Sequence, residues 1–374
     1  MISHTLVSLV ACAGTALAAP RPSHASNPSP YPIYTLSKRD TTTSYNASLP
    51  NITIYATGGT IAGSANSSAQ TTGYQAGALG IETLIDAVPE ITSVANVAGV
   101  QVSNVGSESI TTSILLNISQ QVTASLNDPY CQGVVITHGT DTLEESAFFL
   151  DLTINSTKPV VFVGAMRPAT AVSADGPENL LAAVTLAGSD SAKGRGGMIV
   201  LNDRIASTWY TTKTNANALD TFKAYETGFL GYFIDIKPIF YYDAVKPTGK
   251  AYFDVTGVTE LPQVDVLYGH QDLNVHLATA AVESGAKGLV LAGMGAGGWT
   301  DEGTEVLEGL AANNGTKVVV SRRTMDGYVE PQTTEGMYGG GFLNPQKARI
   351  LLQLALNAGL GETDLRSVFE YDGN

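Results

Sequence analysis

Gly133-Val134-Val135-Ile136-Thr137-His138-Gly139-Thr140-Asp141-Thr142-Leu143-Glu144-Glu145-Ser146-Ala147-Phe148-Phe149-Leu150 passes from an unbroken apolar run, through a polar turn containing glycine, into a stretch with helical spacing. A short β-branched run without polar alternation fits a strand buried on both faces, as in a parallel sheet. The same unit recurs on either side. Strands are predicted over Ile52–Ala56, Val100–Val105, Val134–Thr137, Val160–Val163 and Met198–Leu201, with helices over Ile81–Ala87, Ile114–Ala124, Leu143–Leu152 and Glu178–Leu186. A smaller set follows: strands at Val264–Leu267, Gly288–Leu291 and Val318–Val320, helices near Val275–Ser284, Glu305–Asn313 and Pro345–Asn357. Strands alternating with helices predict an α/β protein with a larger N-terminal parallel-sheet domain over residues 50–241, helices on both its faces. Residues 242–262 lack clear periodicity and are taken as a linker to a smaller C-terminal α/β domain over 263–374.

The chain has 374 residues, 44% hydrophobic and 14% charged, which excludes a disordered or coiled-coil protein. Its formal charge is −14, from 34 acidic and 20 basic residues. Such a surface repels a phosphate backbone, and no Lys/Arg-rich run offers a local exception, so no nucleic-acid partner is expected. The apolar segment Leu6–Leu17, ending in Ala16-Leu17-Ala18, reads as a signal peptide over residues 1–18. It is too short to span a bilayer, and no later run is long enough, so no membrane association is expected. Residues 19–49 read as a flexible segment or propeptide, with Lys38-Arg39 either a processing site or a solvated charge pair. Six Asn-x-Ser/Thr sequons, at Asn46, Asn51, Asn66, Asn117, Asn155 and Asn314, fit a secreted glycoprotein, whether extracellular, periplasmic or held in a cell wall. Cys12 leaves with the signal and Cys131 has no partner, so disulfides play no part. His138, His270 and His276 show no metal-ligand spacing, and neither a metal nor a cofactor is expected.

Ligands of open α/β sheets bind beyond the carboxyl ends of the strands. Just past the predicted strands lie Thr57-Gly58-Gly59-Thr60, Gly106-Ser107-Glu108, His138-Gly139-Thr140-Asp141 and Gly164-Ala165-Met166. Turn and N-cap chemistry explains any one of these loops. It explains less well why four in succession carry glycine and most also carry a hydroxyl or carboxylate. Thr60, after two glycines, is a candidate nucleophile that needs a neighbouring base. The polar stretch Gly63–Gly73 has the composition of a lid that carries Tyr74 over Thr60, although composition alone equally fits an ordinary surface loop. Thr140-Asp141 supplies a second hydroxyl beside a charge. A lysine desolvated in a closed site would serve as its base, while Asp141 would oppose the deprotonation.

These residues also carry a family resemblance. Thr57-Gly58-Gly59-Thr60-Ile61-Ala62-Gly63 and the 133–150 block resemble the two signatures of bacterial-type L-asparaginases, the exported type II enzymes in particular. The likeness continues through residues 163–177, Thr211-Thr212-Lys213-Thr214-Asn215 and residues 343–356, covering nearly everything from Asn51 onward. It implies hydrolysis of L-asparagine to L-aspartate and ammonia, with some activity on L-glutamine and no cofactor. It also implies that Thr60 forms a β-aspartyl ester with Tyr74 assisting, and that Thr140, Asp141 and Lys213 form a second hydroxyl–base group. Ser107 would hold the substrate α-carboxylate, Glu108 and Asp141 its α-ammonium, and the Ala165 backbone its amide. Relatives commonly form homotetramers whose sites are completed by a neighbour; Glu335 is the expected contribution, with Glu330 the other candidate. Glu108 stands where many relatives carry Gln, and Gly298 where they often carry Asn or Ser.

Other protein classes share parts of this pattern. Gly293-Met294-Gly295-Ala296-Gly297-Gly298 has the G-x-G-x-x-G form of an NADP-binding unit. Self-cleavage at Gly59-Thr60 would give a threonine N-terminus acting as its own base. A secreted amino-acid binding protein would share the layout and release no ammonia. No G-x-S-x-G elbow occurs, which argues against a serine esterase. His138 reads as a structural histidine, and Glu144-Glu145 as acids favouring their helix N-terminus.

Overall fold

A computed structural model describes residues 33–35 and 45–370. The predicted signal segment, Cys12 and the Lys38-Arg39 pair lie outside the described residues. The described residues fall in one compact unit. Its first half runs β1 (Ile33–Thr35), β2 (Asn51–Gly58), α1 (Ile81–Asp86), α2 (Ile91–Val94), β3 (Asn96–Val105), α3 (Thr112–Asn127), β4 (Gly133–Thr137), α4 (Leu143–Thr153), β5 (Val160–Val163), α5 (Gly176–Ala187) and β6 (Gly197–Leu201). Three antiparallel strands and a pair of two-residue ones follow: β7 (Arg204–Ser207), β8 (Thr212–Lys213), β9 (Phe222–Lys223), β10 (Gly231–Ile234) and β11 (Lys237–Phe240). The remainder comprises β12 (Val264–Tyr268), α6 (His276–Glu283), β13 (Gly288–Gly293), α7 (Asp301–Asn314), β14 (Lys317–Arg322), β15 (Met337–Gly339), α8 (Pro345–Asn357) and α9 (Glu362–Phe369).

The large sheet has the order β1-β3-β2-β4-β5-β6-β7-β10-β11. Its centre, β3-β2-β4-β5-β6, is parallel. All of β4 is buried, and its period-two geometry sends successive side chains to opposite faces. Val134 and Ile136 join α3 and α4 in one core, whereas Val135 joins Leu180 and Val184 of α5 in the other. The second sheet, β12-β13-β14-β15, is parallel throughout. The first core continues into it, because Phe148 of α4 and Leu351 of α8 belong to the same cluster as Val290 and Val319. Within 242–262, Phe253 and Val255 are buried in that cluster, and the Phe253 amide donates to the Leu152 carbonyl at 2.8 Å.

The α/β class and the large and small parallel sheets agree with the sequence expectation. The antiparallel edge β7-β10-β11 goes beyond that expectation, since RIAS, GYFI and KPIF are four residues each and incompletely buried. A local signal for it exists. Asn202 and Asp203 both take positive φ, 50° and 60°, between the paired Leu201 and Arg204, which is the two-residue turn of a tight hairpin.

Candidate active site

The carboxyl ends of β2, β3, β4 and β5 converge because glycines let their loops touch. Gly58 and Gly59 have φ of 107° and 76°, where a side chain is strained. A Cβ on Gly59 would lie 2.3 Å from the Gly139 Cα, and one on Gly139 would lie 2.8 Å from the Ser107 Oγ. The chain after β2 therefore rests directly on the chain after β4, which in turn rests on the chain after β3. This backbone contact needs both glycines, and Thr60 and Thr140 each follow one of them in the chain.

Thr60 opens a short 3₁₀ turn, Thr60–Ala62, and its Oγ lies 2.7 Å from the Tyr74 hydroxyl. The Tyr74 ring covers Gly63 so closely that a Cβ there would lie 3.0 Å from it. The 63–75 segment is folded down. Ser64 and Gln75 exchange two backbone hydrogen bonds at 2.9 and 3.0 Å, and the Ala65 and Val172 amides donate across to Thr170 Oγ and the Ser68 carbonyl.

On the other side, Lys213 Nζ donates to Thr140 Oγ at 2.9 Å and to Asp141 Oδ at 2.5 Å. Lys213 arrives from β8, a two-residue strand paired with β9. Thr140 is buried, and the Lys213 side chain is 13% exposed against 67% for that of Asp141. Asp141 is thus open to solvent while Lys213 is largely covered. Ser107 is buried, and its Oγ and carbonyl engage the Thr142 amide and hydroxyl at 3.4 and 2.7 Å. Glu108 is exposed and folds its carboxylate over Gly106. Ala165 is fully buried, followed by Met166 and Arg167, whose amides are held by Asp175 at 2.9 Å each.

Eight of the nine predicted site residues therefore lie in four adjoining strand-end loops, on the folded-down segment, or on the β8 strand beside them. Glu335 does not: it is exposed in the connection to β15 and, among the described residues, shares no hydrogen bond or ion pair with the others. His138 is fully buried, and burial pushes its pKa down to about 4. It is neutral near pH 7, with Nδ1 donating to the Gly139 carbonyl at 2.8 Å. Glu144 was underrated by its sequence position. Beyond placing a negative charge in the first turn of α4, its buried carboxylate contacts β8 and the start of α8, a connection that spacing along one helix cannot reveal. The Gly293–Gly298 loop lies between β13 and α7, but Met294 and Gly298 bond each other's amides at 2.8 and 2.7 Å. Those donors are not available to a pyrophosphate.

Two hydroxyls, one held by a phenol and the other by an ammonium–carboxylate pair, suit acyl transfer in two stages. Residues 51–246 match the family described as "Asparaginase, N-terminal", and residues 263–369 match "Glutaminase/Asparaginase C-terminal domain". The chain is 57% identical over 332 residues to "Probable L-asparaginase 1" of Schizosaccharomyces pombe, covering 88% of this chain and 91% of that protein. It is 42% identical over 327 residues to "L-asparaginase 2" of Escherichia coli, covering 86% and 93% respectively. A crystal structure described as a probable cytoplasmic L-asparaginase from Campylobacter jejuni superimposes with a TM-score of 0.82 at 44% identity, covering 86% of this chain and 99% of that one.

Proposed function

The chain belongs to the asparaginase family, and from that premise we propose that it hydrolyses L-asparagine to L-aspartate and ammonia through an ester on Thr60. L-glutamine is the secondary substrate. The observation that carries this is the pair of separately partnered hydroxyls, Thr60–Tyr74 and Thr140–Lys213, each one residue beyond a glycine of the Gly59–Gly139 contact.

Thr60 Oγ attacks the carboxamide carbon and its proton passes toward the Tyr74 hydroxyl, 2.7 Å away. The amide nitrogen takes up a proton and leaves as ammonia. Water then attacks the β-aspartyl ester, with Thr140 and Lys213 placed to hold or move its proton, and Thr60 leaves with its hydroxyl restored. A zwitterionic amino acid needs a donor for its carboxylate and fixed carboxylates for its ammonium. Ser107 takes the first role, Glu108 and Asp141 the second, and the Ala165 backbone meets the side-chain amide. Glu335 serves a neighbouring subunit's site in a homotetramer.

The protein is further proposed to be secreted and glycosylated. Asn46, Asn66, Asn155 and Asn314 are exposed and fit as acceptors. Asn51 is a poorer one, since its amide already donates to the Tyr130 carbonyl at 2.9 Å.

Ammonia release from L-asparagine and L-glutamine is the test. Thr60→Ala is expected to lower kcat by roughly 10⁴-fold or more, and Lys213→Met by about 10³-fold. Full activity in Thr60→Ala overturns the mechanism; stoichiometric binding without ammonia would make the protein a receptor.

A further inference from the structure

Lys213 sits on a strand of two residues, too short to fix a side chain by its own ladder. What holds it comes from elsewhere. Glu144, 4% exposed, lies in the first turn of α4, three positions beyond Asp141. Its Oε1 accepts from the Thr212 hydroxyl at 2.8 Å, the Lys213 amide at 3.4 Å and Gln346 Nε2 at 3.3 Å. Its Oε2 accepts from Asn344 Nδ2 at 3.1 Å and lies 3.8 Å from Lys347 Nζ. Lys347, itself 1% exposed, donates to the carbonyls of Trp209 and Thr211 at 3.0 and 2.5 Å. Asn344 is the N-cap of α8, and its Oδ1 accepts from the Lys347 amide.

The 209–213 segment is thus gripped at its carbonyls by Lys347, and at the Thr212 hydroxyl and Lys213 amide by Glu144. A buried carboxylate and ammonium are costly to desolvate, so a merely stabilising role would be met as well by apolar side chains. We infer that Glu144, braced by Asn344 and Lys347 at the start of α8, is a positioning residue that holds the Lys213 backbone where its ammonium reaches Thr140. Because Thr140 and Glu144 belong to one strand-end loop and helix turn, a single rigid piece of chain presents the hydroxyl and places its proton partner. The C-terminal helix α8 thereby reaches the chemistry without touching substrate.

The inference rests on the role proposed above for Lys213, and the experiment separates the two. Steady-state and single-turnover ammonia release from L-asparagine are measured for Glu144→Gln, Lys213→Met and the double variant. Glu144→Gln is expected to lower kcat on the order of 100-fold, the scale of a small displacement of a reacting group, with KM changing less than about threefold. In the Lys213→Met background the same change should alter the residual single-turnover rate by less than about threefold, because the effect passes through Lys213. An unchanged kcat in Glu144→Gln, or a loss that multiplies fully with Lys213→Met, overturns the inference. Should Glu144→Gln fail to fold, Thr212→Val removes one of the same hydrogen bonds at similar volume, with about a tenfold loss of kcat and the same non-additivity expected. Full activity in Lys213→Met would instead overturn the proposed function itself.

Discussion

The two parallel sheets both end strands in glycine-rich loops, yet they use glycine differently. After β2 and β4, Gly59 and Gly139 allow two separate loops into backbone contact, which brings side chains from distant parts of the chain to one crevice. After β13, Gly293 and Gly297 let a single loop fold on itself, with Met294 and Gly298 satisfying each other and Gly297 packed on Val320. The first arrangement gathers hydroxyls and charges from several loops; the second is a closed turn. A glycine-rich strand end is therefore neutral as to function until its neighbours are known. What makes the first end a site is the chemistry of the four loops that glycine lets meet.

That contrast can be broken most directly at the glycines. Gly59→Ala places a Cβ 2.3 Å from Gly139 at a φ of 76°, and should cost about 3 kcal/mol or more while abolishing most ammonia release. Gly295→Ala also meets a positive φ, 57°, but open space, and should cost about 1 kcal/mol with activity intact. Equal losses in thermal unfolding and activity would erase the distinction.

His138 sharpens the comparison through pH. Its folded pKa of about 4 lies below the ordinary value of 6.5, so between these values the unfolded chain binds a proton that the folded chain refuses. Stability should be insensitive to this group above pH 6.5 and fall as pH drops toward 4, by on the order of 3 kcal/mol in total. Denaturant titrations across that range should show this slope in the wild type and lose it in His138→Gln.

Tyr74→Phe keeps the ring over Gly63 and removes the hydroxyl 2.7 Å from Thr60. Turnover should fall by about 100-fold with KM changing far less; the reverse pattern would make Tyr74 a binding residue. The smallest effect is expected at the other sheet, where NADP should leave the thermal midpoint unchanged. A clear upward shift would mean that the Gly293–Gly298 loop opens.

The buried strands were legible because parallel strands covered on both faces are apolar without interruption, as in Val134–Ile136 and Val160–Val163. The crevice was legible because strand ends are where such sheets bind ligands, and Thr60, Ser107, Thr140 and Ala165 each follow a recognisable strand. The antiparallel strands β10 and β11 were not, since their incomplete burial leaves Tyr232 and Ile239 only partly covered and their pattern weak. Glu144 does lie in the first turn of α4, as its position predicts, but its further contacts are not legible, for a different reason. Its partners Thr212 and Asn344 are distant in sequence, and no local pattern reports a long-range hydrogen bond.

The most direct measurement takes the full protein during turnover of L-asparagine, quenches it in acid and maps any acyl adduct by peptide mass spectrometry. The peptide containing Thr60 should carry an added aspartyl group on that threonine. An adduct on Thr140 or another side chain, or none at saturating substrate under conditions that preserve esters, would contradict it.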